Sequence, residues 1–179
     1  MLLALVGVTG VGKSYFVDQI SNKLDFKKVH TIRTRPAREG ENPTYFMSNE
    51  ELNSLFDKGK IAYKFSVFGS QYGYLKSEIF SDDNMIFEMH YTTIYDWKKV
   101  RPDIKTIYIM PSDIEIAKSK TKERNLPILK EIERLNEIDD HYNRILKDKD
   151  LKKQFDYLVY NNYDKESEQK ILNLVNNLI

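Results

Sequence analysis

Leu2-Leu3-Ala4-Leu5-Val6-Gly7-Val8-Thr9-Gly10-Val11-Gly12-Lys13-Ser14 decides how the rest of the chain is read. Residues 7–14 fit G-x-x-x-x-G-K-[ST] at every specified position. Each residue type has its own physical task there. Glycine lets the backbone wind tightly enough for successive N–H groups to point at phosphate oxygens. Lys13 supplies a point charge for the β- and γ-phosphates, and Ser14 offers a hydroxyl to Mg²⁺ at the opening of a helix. The apolar run before the loop reads as a buried parallel strand. After it, Tyr15, Phe16, Ile20 and Leu24 recur at helical spacing between polar residues. Strand, loop and helix stand in the order the pattern needs, so Gly7, Val8, Thr9, Gly10, Val11, Gly12, Lys13 and Ser14 are expected to bind ATP.

Working outward, 179 residues suit one α/β domain. A net charge of +1 argues against a nucleic-acid protein that relies on bulk positive charge. Without cysteine the chain has no disulfide or thiolate metal site. No stretch approaches membrane-spanning length, and the apolar start lacks a basic leader, so a cytoplasmic enzyme is expected.

A second strand is predicted at Lys28 to Thr31, then an Arg/Pro/Gly-rich loop from Arg33 to Thr44 and an extended Tyr45-Phe46-Met47. Ser48-Asn49-Glu50-Glu51 reads as a capping box, opening a helix that runs through Phe56 and stops at Gly59. Ile61 to Phe68 reads as a strand that turns at Gly69-Ser70 into Gln71-Tyr72-Gly73-Tyr74, giving a small β-rich insertion. Strands are predicted at Met85–Met89, Thr106–Met110 and Tyr157–Tyr160, with a helix over Thr93–Val100. Ser112-Asp113-Ile114-Glu115 reads as a second capping box, opening a basic helix broken at Asn125-Leu126-Pro127. Ile128, Ile132, Leu135, Ile138, Tyr142 and Ile145 form one face of a long helix, and Ile171 to Leu178 a closing amphipathic one. Strands alternating with helices imply a parallel sheet covered on both faces.

Three segments together resemble the guanylate kinase family across nearly the whole chain: Gly7–Ser14, Thr31–Glu41 and Val67–Gly73. The most specific part is T-R-x-x-R-x-G-E at 34–41 followed by F-G-x-x-Y-G at 68–73. The resemblance implies a P-loop α/β/α fold with a central parallel sheet, a monophosphate-binding insertion and a helical lid. The expected boundaries are core 1–32, 84–117 and 147–179, insertion 33–83, and lid 118–146. It implies an ATP- and Mg²⁺-dependent kinase for GMP or dGMP, with nucleotides as partners, no nucleic acid or membrane, and oligomeric state left open. Thr31, Arg35, Arg38, Tyr45 and Tyr72 would hold the acceptor phosphate, with Arg35 also catalytic beside Lys13. In the lid, Lys120, Arg124 and Arg134 resemble the cations that meet the transferring phosphoryl group, and Asn161 joins the ATP site.

The base-reading positions depart from the family. Where it places a glutamate, a small hydroxyl residue and two aspartates, this chain has Tyr63, Tyr74, Glu88 and His90. Guanine presents N–H donors for which carboxylates are natural acceptors, and only Glu88 keeps an acid. Glu88 is also placed to hold a metal-bound water. Two alternatives therefore stay open: a kinase for another nucleotide or small phosphate ester, and a non-catalytic guanylate-kinase-like protein-binding module.

Overall fold

A computed structural model describes residues 1–37, 42–67 and 69–179. In chain order, β1 (Leu2–Gly7) leads into α1 (Lys13–Lys23), followed by β2 (Lys27–Lys28) and β3 (Thr31–Arg33). Next come α2 (Asn49–Asp57), β4 (Ile61–Val67), β5 (Ser70–Leu75), α3 (Lys76–Ile79) and β6 (Met85–Glu88). The chain continues through α4 (Ile94–Val100), β7 (Lys105–Pro111), α5 (Ile114–Lys122) and α6 (Ile128–Lys147). It closes with α7 (Lys149–Lys152), β8 (Tyr157–Asn161) and α8 (Lys165–Asn176).

The central sheet has the order β2-β6-β1-β7-β8 with every pairing parallel, as alternating strands and helices require. β1 lies in its middle and is buried on both sides, which is why its sequence is a continuous apolar run. Its residues alternate between two cores. Leu2, Ala4 and Val6 pack with Phe87, Trp97, Tyr108 and Ile145; Leu3 and Leu5 pack with Phe16, Ile20, Ala117 and Ile171. Helices therefore cover both faces, an α/β/α arrangement. A second, antiparallel sheet runs β3-β5-β4, with a small core of Ile32, Leu52 and Ile61 beneath α2. No helix among the described residues is long and apolar enough to cross a membrane.

Four expectations are corrected. The strand predicted at 28–31 is two strands: Lys27–Lys28 joins the central sheet, whereas Thr31–Arg33 joins the antiparallel one. Tyr45-Phe46-Met47 is not extended throughout. Pro43–Tyr45 forms a 3-10 turn, capped by the Asn42 side chain, and only Phe46 bridges to Arg33. The cap of α5 is Asp113, whose carboxylate accepts from Glu115 N at 2.9 Å. Ser112 is instead tied to the sheet, its N–H donating to Asn161 O at 3.0 Å. Finally, the apolar face of α6 is buried over its second half, through Ile138 and Ile145, while Ile128 is 78% and Leu129 82% exposed. The capping box of α2 forms as expected, with Ser48 and Glu51 bonding each other's backbone N–H.

Candidate active site

The central strands end on one edge, where open α/β sheets bind ligands. β1 delivers the loop 7–14 there. Gly10 and Gly12 adopt φ of 83° and 94°, the left-handed region where a side chain is strained. At Gly10 a Cβ would also lie 2.1 Å from the Ala117 carbonyl oxygen of α5, so loop and helix are in backbone contact. Asn161, buried at the end of β8, braces the loop by donating from Nδ2 to Val11 O at 3.0 Å. Its Oδ1 accepts from Tyr163 N, so the side chain is spent on backbone support.

Lys13 Nζ donates to Gly7 O and Val8 O at 2.9 and 3.0 Å. Burial lowers its pKa; Glu88 and Glu137 oppose that, and Arg124 and Arg134 add to it. Ser14 Oγ donates to Glu88 Oε1 at 2.7 Å, joining the start of α1 to the end of β6. These two oxygen-bearing side chains suit a hard cation such as Mg²⁺, whose remaining positions are ordinarily filled by phosphate and water.

Beside them lies a polar cavity lined by five cations: Lys13, Arg33, Arg35, Arg124 and Arg134. Arg124 and Arg134 arrive from the α5–α6 side, and Arg35 from beyond β3, over the Phe46 ring at 5.1 Å. Arg33 was not singled out from sequence. The signal was the alternation of β3, which puts residues 31 and 33 on one face, opposite Tyr74 and Tyr72. Arg38 lies outside the described residues. Lys120 is not in this cavity; it lines a cleft across the loop, with Gly10, Gly12, Phe16, Asn161 and Tyr163.

The adjoining part of the cleft is aromatic. Register pairs Tyr63 with Tyr74 and Phe65 with Tyr72, placing all four on one face of the antiparallel sheet. Thr31, Phe65, Tyr72, Tyr74 and His90 line the cleft. Tyr74 is buried edge-on against Phe87 and Trp97, at 5.3 and 5.0 Å, and its hydroxyl donates to Glu88 O at 3.5 Å. Tyr63 turns aside, its ring 5.0 Å from Trp97 and its hydroxyl donating to Asp96 Oδ2 at 3.3 Å. Burial raises the pKa of both phenols, so both remain donors. Tyr45 is stacked on His30 at 4.1 Å and lines a neighbouring cleft apart from Tyr72. Lys64, on the other face of β4, reaches Asn53 of α2.

Two residues of this region were missed from sequence, Phe65 and Glu137. Phe65 was hidden inside a strand whose Tyr63 drew attention, although both share its alternation. Glu137 follows Arg134 by one turn of α6 and therefore shares its face. Its Oε2 accepts from Thr9 Oγ1 at 3.0 Å, and its Oε1 lies 3.7 Å from His90 Nε2. Burial disfavours its charge, but His90, Thr9 and Lys13 outweigh that and hold its pKa below the usual value. Behind it His141, 1% exposed, bonds the Tyr108 hydroxyl at 2.8 Å and stacks on Tyr91 at 3.6 Å. Burial foremost, then Lys13, His90 and Arg144, push its pKa down to about 2.

In sequence and in fold the chain is similar to known proteins. The guanylate kinase of Malacoplasma penetrans is 25% identical, over 97% of this chain and 91% of that protein. That of Hahella chejuensis is 26% identical, over 86% of this chain and 74% of its own length. The chain is similar to guanylate kinases along most of its length. The crystal structure of guanylate kinase from Anaplasma phagocytophilum superposes with a TM-score of 0.73 at 20% identity, covering 98% of this chain and 84% of that one. The guanylate kinase fold is thus present over nearly the whole chain. No protein-family model matches it.

Proposed function

We propose that this chain transfers the γ-phosphoryl group of ATP to GMP or dGMP, giving ADP and the nucleoside diphosphate. The observation that carries the reading is the convergence of Lys13, Arg33, Arg35, Arg124 and Arg134 on one cavity beside the phosphate loop. Two polyanions repel until cations and backbone N–H groups neutralise them, and a set of positive groups drawn from separate elements suits that task. The related guanylate kinases supply the acceptor.

In this reading residues 1–32, 84–117 and 147–179 are the ATP-binding core, 33–83 the monophosphate-binding insertion and 118–146 the lid. The ATP phosphates lie along residues 7–14, and the donor nucleoside occupies the cleft lined by Lys120 and Tyr163. Thr31, Arg33, Arg35, Arg38 and Tyr72 hold the acceptor phosphate. Arg124 and Arg134 meet the charge that develops as the bond from γ-phosphorus to the ADP oxygen breaks and the acceptor oxygen bonds to phosphorus. A phosphate oxygen is already nucleophilic, so no side chain has to remove a proton. Closure of the lid excludes water and aligns the two oxygens. Ser14 and Glu88 would hold Mg²⁺, directly or through water, which supplies further neutralisation of the phosphates. Asn161 acts indirectly, by bracing the loop.

Coupled ADP release, measured across the common ribo- and deoxynucleoside monophosphates and a ribose phosphate ester, tests the reading. Turnover with GMP and dGMP is expected. The aromatic residues at 63 and 74 favour, as second reading, a kinase with another acceptor. Turnover confined to pyrimidine nucleotides or the sugar phosphate would establish it and remove guanine.

A further inference from the structure

The acceptor cleft has two chemically different ends. Arg35, Arg124 and Ser14 line only one of them; Phe65, His90 and Glu137 line only the other, while Lys13, Arg33 and Tyr72 border both. A cationic end continuous with an aromatic end suits a phosphate attached to a flat base. Besides Glu88, which borders both ends, the aromatic end holds a carboxylate of its own, Glu137.

Resting on the kinase reading above, we propose that Glu137 of α6 is the residue that recognises the guanine base, receiving its N1–H and 2-amino group on one carboxylate. Among the described residues lining the cleft, only Glu88 and Glu137 carry acids. Glu88 Oε1 already accepts the Ser14 hydroxyl beside the phosphate loop. Glu137 is anchored through Oε2 by Thr9 at 3.0 Å, with Arg134 Nη1 4.0 Å from the same oxygen, and its Oε1 faces His90 at 3.7 Å. A carboxylate has about four lone-pair directions, so this anchoring leaves capacity for two ligand N–H groups. Phe65 and Tyr72, stacked at 5.2 Å, offer aromatic surface beside it. Tyr63, turned toward Asp96 and Trp97, stands away from that place, and position 90 holds an imidazole. The acid absent from positions 63 and 90 is thus supplied from the lid side, so a guanine base would tie the lid helix to the acceptor.

The test compares wild type, Glu137→Gln and Glu137→Ala with GMP and with IMP, which lacks the 2-amino group. Binding of a non-hydrolysable ATP analogue and the thermal midpoint are followed in parallel. Wild type is expected to prefer GMP over IMP. Losing a charged acceptor should raise the KM for GMP about 10- to 100-fold in Glu137→Ala, and less in Glu137→Gln, which keeps one carbonyl. The GMP/IMP preference should collapse toward unity while analogue binding stays unchanged. If wild type uses GMP and both variants keep its KM and the GMP/IMP ratio, the role of Glu137 is overturned and the kinase reading stands. An equal loss of GMP and analogue binding would assign Glu137 to holding the phosphate loop through Thr9, which also overturns the proposal. Absence of GMP turnover in wild type removes the proposal together with the guanine acceptor.

Discussion

Arg33 shows how a single side chain escapes a reading made along the sequence. It stands next to Thr34 and Arg35, which carry the recognisable pattern, yet β3 places it, with Thr31, on the face that looks into the cleft. Its guanidinium lies 5.8 Å from the Phe46 ring and donates to Thr31 O at 3.1 Å, which fixes its direction. In the proposed kinase it meets the acceptor phosphate. Arg33→Ala is expected to raise the acceptor KM about tenfold or more, as loss of a charge-assisted contact does, with ATP-analogue binding unaltered. Steady-state kinetics at saturating ATP reads this directly, and an unchanged KM would remove Arg33 from the acceptor site. Lys13 and Ser14 could be singled out without structure because their spacing within the loop is itself the signal. Glu137 was not, since nothing in sequence says that α6 passes the loop at Thr9.

At the scale of elements, local chemistry was read well and long-range choices less so. The capping box of α2 depends on four consecutive residues, and it forms. The cap of α5 moved from Ser112 to Asp113 because Ser112 N–H is taken by the carbonyl of Asn161, a partner far along the chain. The residues at 28–31 were read as one strand, but the backbone there passes from one sheet to another, and periodicity does not report which sheet a strand joins. Asp113→Ala should remove the first-turn bond of α5 and cost about 1 kcal/mol. A lower urea midpoint at unchanged slope is the expected result; an unshifted midpoint would mean that water caps the turn equally well.

At the scale of the whole molecule, acid sensitivity centres on His141, a buried residue of α6 packed against Tyr91 and Tyr108. Its folded pKa is about 2, against an ordinary value of 6.5. The unfolded chain therefore binds a proton that the folded chain refuses across that interval. The contribution to stability is intact above pH 6.5 and declines as pH falls toward 2, by at most about 1.4 kcal/mol per pH unit. In His141→Gln the stability between pH 6.5 and 5 should be flatter than in wild type, as followed by denaturant unfolding at several pH values. Equal slopes in the two proteins would mean that another group governs the acid limb.

The exposure of Ile128 and Leu129, set against the burial of Ile138 and Ile145, makes α6 a cantilever. Its root is embedded in the core, its tip projects, and Arg134 and Glu137 sit where the beam leaves the wall. We predict that amide hydrogen exchange along this one helix falls steeply between residues 132 and 138, and that uniform protection from end to end would refute the picture. Arg134, close to the root, is then held by the core, whereas Arg124 lies beyond the tip, on the turn that precedes the helix. Two charges of one cavity would thus differ in how firmly they are held, one set near the root of the rod and the other on the turn ahead of its tip.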